Sequence, residues 1–139
     1  MYTAPTDDML KDILQNSETI AVVGASDKPD RASYRVMNFL IAKGYDIYPV
    51  NPHLAGQSIQ GRKVYASLKD IPQSIDIVDI FRRPEETPTI VDEALSISAK
   101  TIWMQLGVTN EAAAQTALKE GLNVVMDRCP AIEMPRLGL

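Results

Sequence analysis

Five short apolar runs recur along the chain: Thr19 to Gly24, Tyr45 to Val50, Ile75 to Phe81, Thr101 to Leu106 and Leu122 to Met126. Ile and Val dominate them, and β-branched side chains suit a pleated, packed surface. Consecutive apolar positions such as Val22 and Val23 predict strands buried on both faces, as in a parallel sheet. Between the runs, apolar residues recur at helical spacing. Asp7 to Gln15 carries Met9, Leu10, Ile13 and Leu14, and Ala32 to Lys43 carries Val36, Met37, Leu40 and Ile41. Two further helices are predicted, from Pro84 or Thr87 to Ser98 and from Asn110 to Glu120. Gly44 and Gly121 stand where a left-handed residue ends a helix. Leu54 to Val64 reads as an irregular excursion, Ser67 to Pro72 as one helical turn, and the proline-containing tail Asp127 to Leu139 as mostly irregular.

Strands that alternate with helices imply right-handed crossovers between parallel neighbours. The expected fold is α/β: a Rossmann-like, doubly wound, five-stranded parallel sheet with helices on both faces. The expected strand order is 3-2-1-4-5. A chain of 139 residues predicts one domain over 1–139. Ligands of such sheets bind beyond the carboxyl ends of the strands. Those ends are Gly24-Ala-Ser26, Asn51-Pro-His53, Phe81-Arg-Arg83, Gln105-Leu-Gly107 and Asp127-Arg-Cys129.

Charge and composition narrow the partners. A formal net charge of −4 argues against non-specific nucleic-acid binding. One cysteine allows no internal disulfide and fits a reducing cytoplasm. The acidic N-terminal stretch lacks the plan of a signal peptide, and no apolar run approaches the ~20 residues of a membrane span. A lone histidine, His53, and a lone Cys129 make no metal site.

The first strand ends in Gly24, and the following loop leads to a helix N-terminus, a favourable place for a phosphate. Gly24-Ala-Ser-Asp-Lys-Pro29 lacks the second and third glycines of the dinucleotide fingerprint. Asn51-Pro52 occupies the place of the acidic residue that binds an NAD ribose, so NAD is disfavoured. Lys28, Arg31, Arg35, Arg82 and Arg83 fall on or near convergent loops, where cations suit a ligand carrying several phosphates. Ordinary solvated charge explains any one of them equally well. Cys129 follows Arg128, a neighbour that lowers a thiol pKa, although burial is the plainer role. Asp76, Asp79 and Asp127 flank strands without a spacing that marks acid–base work.

Val23-Gly-Ala-Ser-Asp-Lys-Pro29, Tyr48-Pro-Val-Asn-Pro52, Tyr65-Ala-Ser-Leu-Lys-Asp-Ile-Pro72, Phe81-Arg82, Trp103-Met-Gln-Leu-Gly-Val108 and Val124-Val-Met-Asp-Arg-Cys129 stand in this order. Together they resemble the small bacterial coenzyme A-binding proteins, which are similar to the N-terminal domain of the succinyl-CoA synthetase alpha subunit. The resemblance implies a Rossmann-like fold holding coenzyme A across the strand ends. It implies that Gly24, Ala25, Ser26 and Lys28 surround the nucleotide phosphates, with Arg31, Ser33 and Tyr34 beside them at the helix start. Val50, Asn51 and Pro52 would line the adenosine side, Phe81 and Arg82 the cleft after the third strand, and Gln105 and Gly107 the pantetheine path. Two departures stand out. His53 replaces a frequent lysine, and Ser98 replaces a frequent glycine at a helix end, where a left-handed residue costs about 1 kcal/mol. The phosphohistidine domain needed for ligase activity has no counterpart in the sequence. The expectation is a stand-alone coenzyme A or acyl-CoA binding protein without catalytic residues. The alternative is a thiol-redox protein or small enzyme in which Cys129 forms a mixed disulfide with coenzyme A.

Overall fold

Helix α1 (Asp7–Asn16) begins where the Thr6 hydroxyl accepts the Met9 N–H at 3.2 Å, and it buries Leu10, Ile13 and Leu14. The computed structural model describes residues 2–139. Strand β1 (Thr19–Val23), helix α2 (Ala32–Ala42) and strand β2 (Asp46–Val50) follow. A small antiparallel hairpin, β3 (Ser58–Ile59) and β4 (Arg62–Lys63), turns through Gln60 and Gly61, both at positive φ. After a 3-10 turn at Leu68–Asp70 come β5 (Ile77–Ile80), α3 (Thr87–Ser96), β6 (Thr101–Met104), α4 (Glu111–Lys119), β7 (Asn123–Val125) and α5 (Pro130–Arg136).

The five apolar runs form one parallel sheet in the order β2-β1-β5-β6-β7. Helices α1, α2 and α5 cover one face, over Leu10, Met37, Leu40 and Trp103, and α3 and α4 cover the other, over Val78, Ile80, Val91 and Ala114. The fold is Rossmann-like α/β. Counted by sheet members alone, however, its order is 2-1-3-4-5, not the expected 3-2-1-4-5. The third member, β5, pairs with β1, from Ile20↔Ile77 to Val23↔Ile80. The cause lies on the outer edge of β2. The Pro49 carbonyl points outward and accepts the Tyr65 N–H at 2.9 Å. The missing donor of Pro49 lies on that same side, so the edge takes an isolated bridge, Val50↔Tyr65, and no ladder. The switch point therefore falls between β1 and β5, which sets the Gly24 turn beside Phe81 and Arg82.

The tail also departs from expectation. It folds into α5, because Pro130 occupies the first helical position, where a missing N–H costs little. Met134 and Leu137 then pack into the core, and Arg136 bridges Glu133 at 2.8 Å and Asp7 at 2.9 Å. The Leu54 to Val64 excursion holds a hairpin where only turns were expected. Ser98 does adopt the left-handed conformation, at φ 58°.

Candidate functional site

The site grows from the end of β1. Gly24, at φ 89°, turns back so that its N–H and that of Ala25 both donate to the Val50 carbonyl, at 3.0 and 3.2 Å. A Cβ on Gly24 would stand 3.0 Å from Arg82 Cδ and 3.2 Å from the Phe81 carbonyl, so the approach of the two loops requires glycine. Asn51 ties the β2 end to this turn. Its amide donates to the Ala25 carbonyl at 2.8 Å, and its side-chain oxygen accepts the His53 N–H at 2.8 Å. Ser26 accepts the Lys28 N–H at 3.1 Å, which leads the chain toward α2. Lys28 and Arg31 lie exposed on this loop, Ser33 is buried in the first turn of α2, and the Tyr34 carbonyl accepts the Gln60 amide at 3.0 Å.

Successive residues of an extended segment point to opposite sides. Phe81 and Arg82 accordingly serve two clefts, one on each face of the sheet. The first has a volume of about 370 Å³ and is bounded by Gly24, Val50, Pro52 and Arg82 together with Ser67 and Ile90. The second, about 340 Å³, is mostly apolar and is bounded by Val36, Phe81, Gln105, Leu106, Cys129 and Ile132. Leu106 and Ile132 are 57% and 53% exposed at its rim. Gly107 lies outside both linings, and its N–H donates to Asp127 Oδ1 at 2.8 Å. Asn51, Ala25 and Ser26 shape the loops without lining either cleft.

Of the expected phosphate cations, Arg82 borders the first cleft and Arg35 the second. Arg82 is already engaged. Its guanidinium donates to Glu86 Oε1 at 2.6 Å from Nη2 and 3.2 Å from Nε, while Arg83 bonds the other oxygen at 3.2 Å. Arg82, and after it Arg83, hold the Glu86 carboxyl down to about 2. The pair is half open to solvent, and an anion entering the first cleft competes with Glu86 for Arg82. Arg82 and Glu86 are four residues apart, a spacing visible in the sequence but unused there. Ser67 of the first cleft lies in a segment that carries the resemblance but was given no site role, and Ile90 and Glu93 were missed because α3 carries no motif.

Asp79 lies within β5, not at its flank as expected. Paired in register with Trp103, it shares a face with Phe81 and Gln105. Its accessibility is 0%, and burial pushes its carboxyl well above the usual carboxylate range. Among the described residues no cation pairs with it. One end of the Gln105 amide stands 2.8 Å from Oδ1 and 3.1 Å from Oδ2. The other end of the amide faces only donors, so Oε1 turns outward and Nε2 turns inward to donate to Asp79. Burying an unpaired carboxylate costs several kcal/mol, whereas a hydrogen bond to a charged group contributes about 1.5–3 kcal/mol. Burial therefore opposes ionisation at Asp79, and the Gln105 amide offsets part of that cost.

Residues 18–135 match the family described as a CoA binding domain. The chain belongs to that family. It is 44% identical over 125 residues to the uncharacterized protein YneT of Bacillus subtilis strain 168, covering 90% of this chain and 91% of that one. It is 32% identical over 131 residues to the alpha subunit of acetate–CoA ligase (ADP-forming) I of Pyrococcus furiosus, covering 84% of this chain but 28% of the subunit. Among solved structures, a hypothetical protein from Pyrococcus horikoshii OT3 superposes with a TM-score of 0.93 at 40% identity, over 100% of this chain and 99% of that one. Such a CoA-binding domain is similar to the N-terminal domain of succinyl-CoA synthetase-like subunits. No helix among the described residues is long and apolar enough to cross a membrane.

Proposed function

We propose that residues 1–139 act as a single, stand-alone domain that binds coenzyme A or an acyl-CoA at the strand ends and turns over no substrate itself. Family membership together with the close Gly24–Arg82 approach at the switch point carries this reading. In it, Gly24, Ala25, Ser26 and Lys28 meet the phosphates, with Arg31, Ser33 and Tyr34 at the start of α2. Val50, Asn51 and Pro52 meet the adenosine, Phe81 and Arg82 divide the two clefts, and Gln105 and Gly107 border the pantetheine. A cytoplasmic setting suits a protein with one thiol. The ligase chemistry of the Pyrococcus furiosus subunit is not extended to this chain, which spans 28% of that subunit.

Calorimetric titration with coenzyme A, acetyl-CoA, NAD and ATP tests the proposal. Coenzyme A and its acetyl ester bind, and NAD does not. No heat from coenzyme A at high micromolar concentration sinks the reading. Replacing Arg82 with alanine, or Ser26 with leucine, weakens binding by about 1–3 kcal/mol.

A second reading rests on the place of Cys129, buried to 7% exposure at the wall of the second cleft. There its thiolate would attack the disulfide of oxidised coenzyme A, forming a mixed disulfide and releasing one coenzyme A thiol.

A further inference from the structure

Among the described residues, Met9, Leu106, Leu118 and Ile132 are the large apolar side chains left exposed, and Leu106 and Ile132 both border the second cleft. Exposed apolar residues scattered singly are ordinary, whereas a pair at the mouth of one concave site marks a contact surface. Neither belongs to the buried core clusters, so the packing of the fold gives no reason for their place. Leu106 is also held still. It sits in a turn where the Val108 N–H donates to the Gln105 carbonyl at 2.8 Å, and the next residue, Gly107 at φ 80°, is tied to Asp127 Oδ1 at 2.8 Å. Ile132 stands in the first turn of α5, where its N–H donates to the Cys129 carbonyl at 3.0 Å. Both rim side chains therefore hang from fixed backbone.

The wall between them is apolar too, with Val36 from α2, Phe81 from the end of β5, and Cys129 and Ala131 from the start of α5. A buried free cysteine behaves as a small hydrophobe. Gln105 and Arg35 are the polar side chains of the lining, and both have partners in the chain. Gln105 donates to Asp79, and Arg35 donates to the Asp30 carbonyl.

The position of the cleft says what enters it. It opens at the carboxyl ends of β5 and β6, where ligands of such sheets bind. Phe81 is part of its wall, and the adjacent Arg82 borders the first cleft. A long ligand anchored at the Gly24–Arg82 approach reaches the second cleft by passing Phe81. For coenzyme A the end that arrives there is the thiol or its acyl ester. We propose that the second cleft is an acyl pocket, which takes the uncharged chain of an acyl-CoA between Phe81, Leu106 and Ile132. The inference rests on the coenzyme A reading and adds to it the class of acyl group. A volume of about 340 Å³ holds roughly ten water-sized groups at ~30 Å³ each, so beside the sulfur end of the pantetheine arm it suits chains of about four to eight carbons.

Calorimetry with coenzyme A and its acetyl, butyryl, hexanoyl and octanoyl esters tests the inference. Full burial of a methylene gives about fourfold in affinity, and this cleft is open on one side, so each added methylene strengthens binding about twofold. At that factor octanoyl-CoA binds about sixtyfold more tightly than acetyl-CoA. Leu106→Ser and Ile132→Ser each cut the octanoyl-to-acetyl ratio about threefold at an unchanged melting temperature, because both side chains are exposed in the free protein. Ala131→Leu fills the cleft from α5 and moves the preferred chain to a shorter one, a shift that a merely structural role does not produce. Equal affinity for all the esters overturns the inference and leaves the coenzyme A reading standing. Succinyl-CoA binding more tightly than butyryl-CoA also overturns it, since that result gives the cleft to a charged chain held by Arg35. Free octanoate binding as tightly as octanoyl-CoA does the same. So does a dimer in sedimentation that Leu106→Ser dissolves without changing the ratio, which assigns the rim to a second copy of the chain. If neither coenzyme A nor any ester binds, the coenzyme A reading falls and the pocket's part in it falls with it.

Discussion

Replacing Gly24 with alanine isolates the close approach on which the site is built. Two costs add. The residue sits at φ 89°, where an L side chain is strained by about 1–2 kcal/mol. The new Cβ also meets Arg82 Cδ at 3.0 Å and the Phe81 carbonyl at 3.2 Å. Arg82 is flexible and can retreat, but the Phe81 backbone cannot move without disturbing the β1–β5 ladder. Overpacking of this kind costs about 1–3 kcal/mol. Gly44 supplies the control, since at φ 96° it carries the same conformational strain with nothing within 4 Å of a Cβ. In equilibrium urea unfolding, Gly24→Ala loses about 2–5 kcal/mol and Gly44→Ala about 1–2 kcal/mol. The difference measures the contact between the loops. If the two variants are equally destabilised, the loops are not in the contact described and the cleft geometry is wrong.

Other outcomes follow from the charges. Burial raises the Asp76 carboxyl, but the Glu18 and Thr19 N–H donors, at 2.7 and 3.3 Å, together with Lys100 hold it below its ordinary value. Its contribution is present above the unfolded carboxylate pKa and is lost as pH falls through the folded one. Asp76→Asn therefore flattens the acid limb of a stability–pH profile, and an unchanged limb refutes that role. Glu86→Gln frees Arg82 from a full negative charge and strengthens coenzyme A binding severalfold, most at low salt, as titrations at two ionic strengths would reveal. Unchanged affinity in that variant shows that Arg82 does not meet the ligand's phosphates. Intact-mass spectrometry after treatment with oxidised coenzyme A gains one coenzyme A per chain if Cys129 reacts. An unmodified mass removes the redox reading.

The sheet was legible because its strands are buried on both faces, so Val22-Val23 and Ile77-Val78 needed no partner to be recognised. Helix ends were legible at Gly44, Gly121 and Ser98, where the backbone must turn left-handed. Strand order was not legible. It hangs on the direction in which Pro49 faces, and a hydrophobicity pattern records a residue's type without its orientation in the ladder. Proline misled at α5 as well, since Pro130 begins a helix as readily as it breaks one. At the site, motif residues Gly24, Val50, Pro52 and Arg82 do meet at one cleft. On the wall opposite them, Ser67 lies in a motif with no site role assigned, and Ile90 and Glu93 come from α3, brought near only by the chain's path. Asp79 was seen but misplaced. Its importance comes from complete burial, which only the packing of α2 and α5 over β5 creates.

The Pro49 edge has a further consequence, for the way copies of this chain meet. A parallel sheet ends in two rows of unpaired backbone groups, and such rows invite a strand from another molecule. On the β2 side that invitation is withdrawn. The proline offers no donor, and the Tyr65 N–H and carbonyl already occupy the neighbouring Pro49 carbonyl and Asn51 N–H. The excursion that leads away from β2 thus serves as a guard rail, and crowding many copies together gives no continuous sheet across that border.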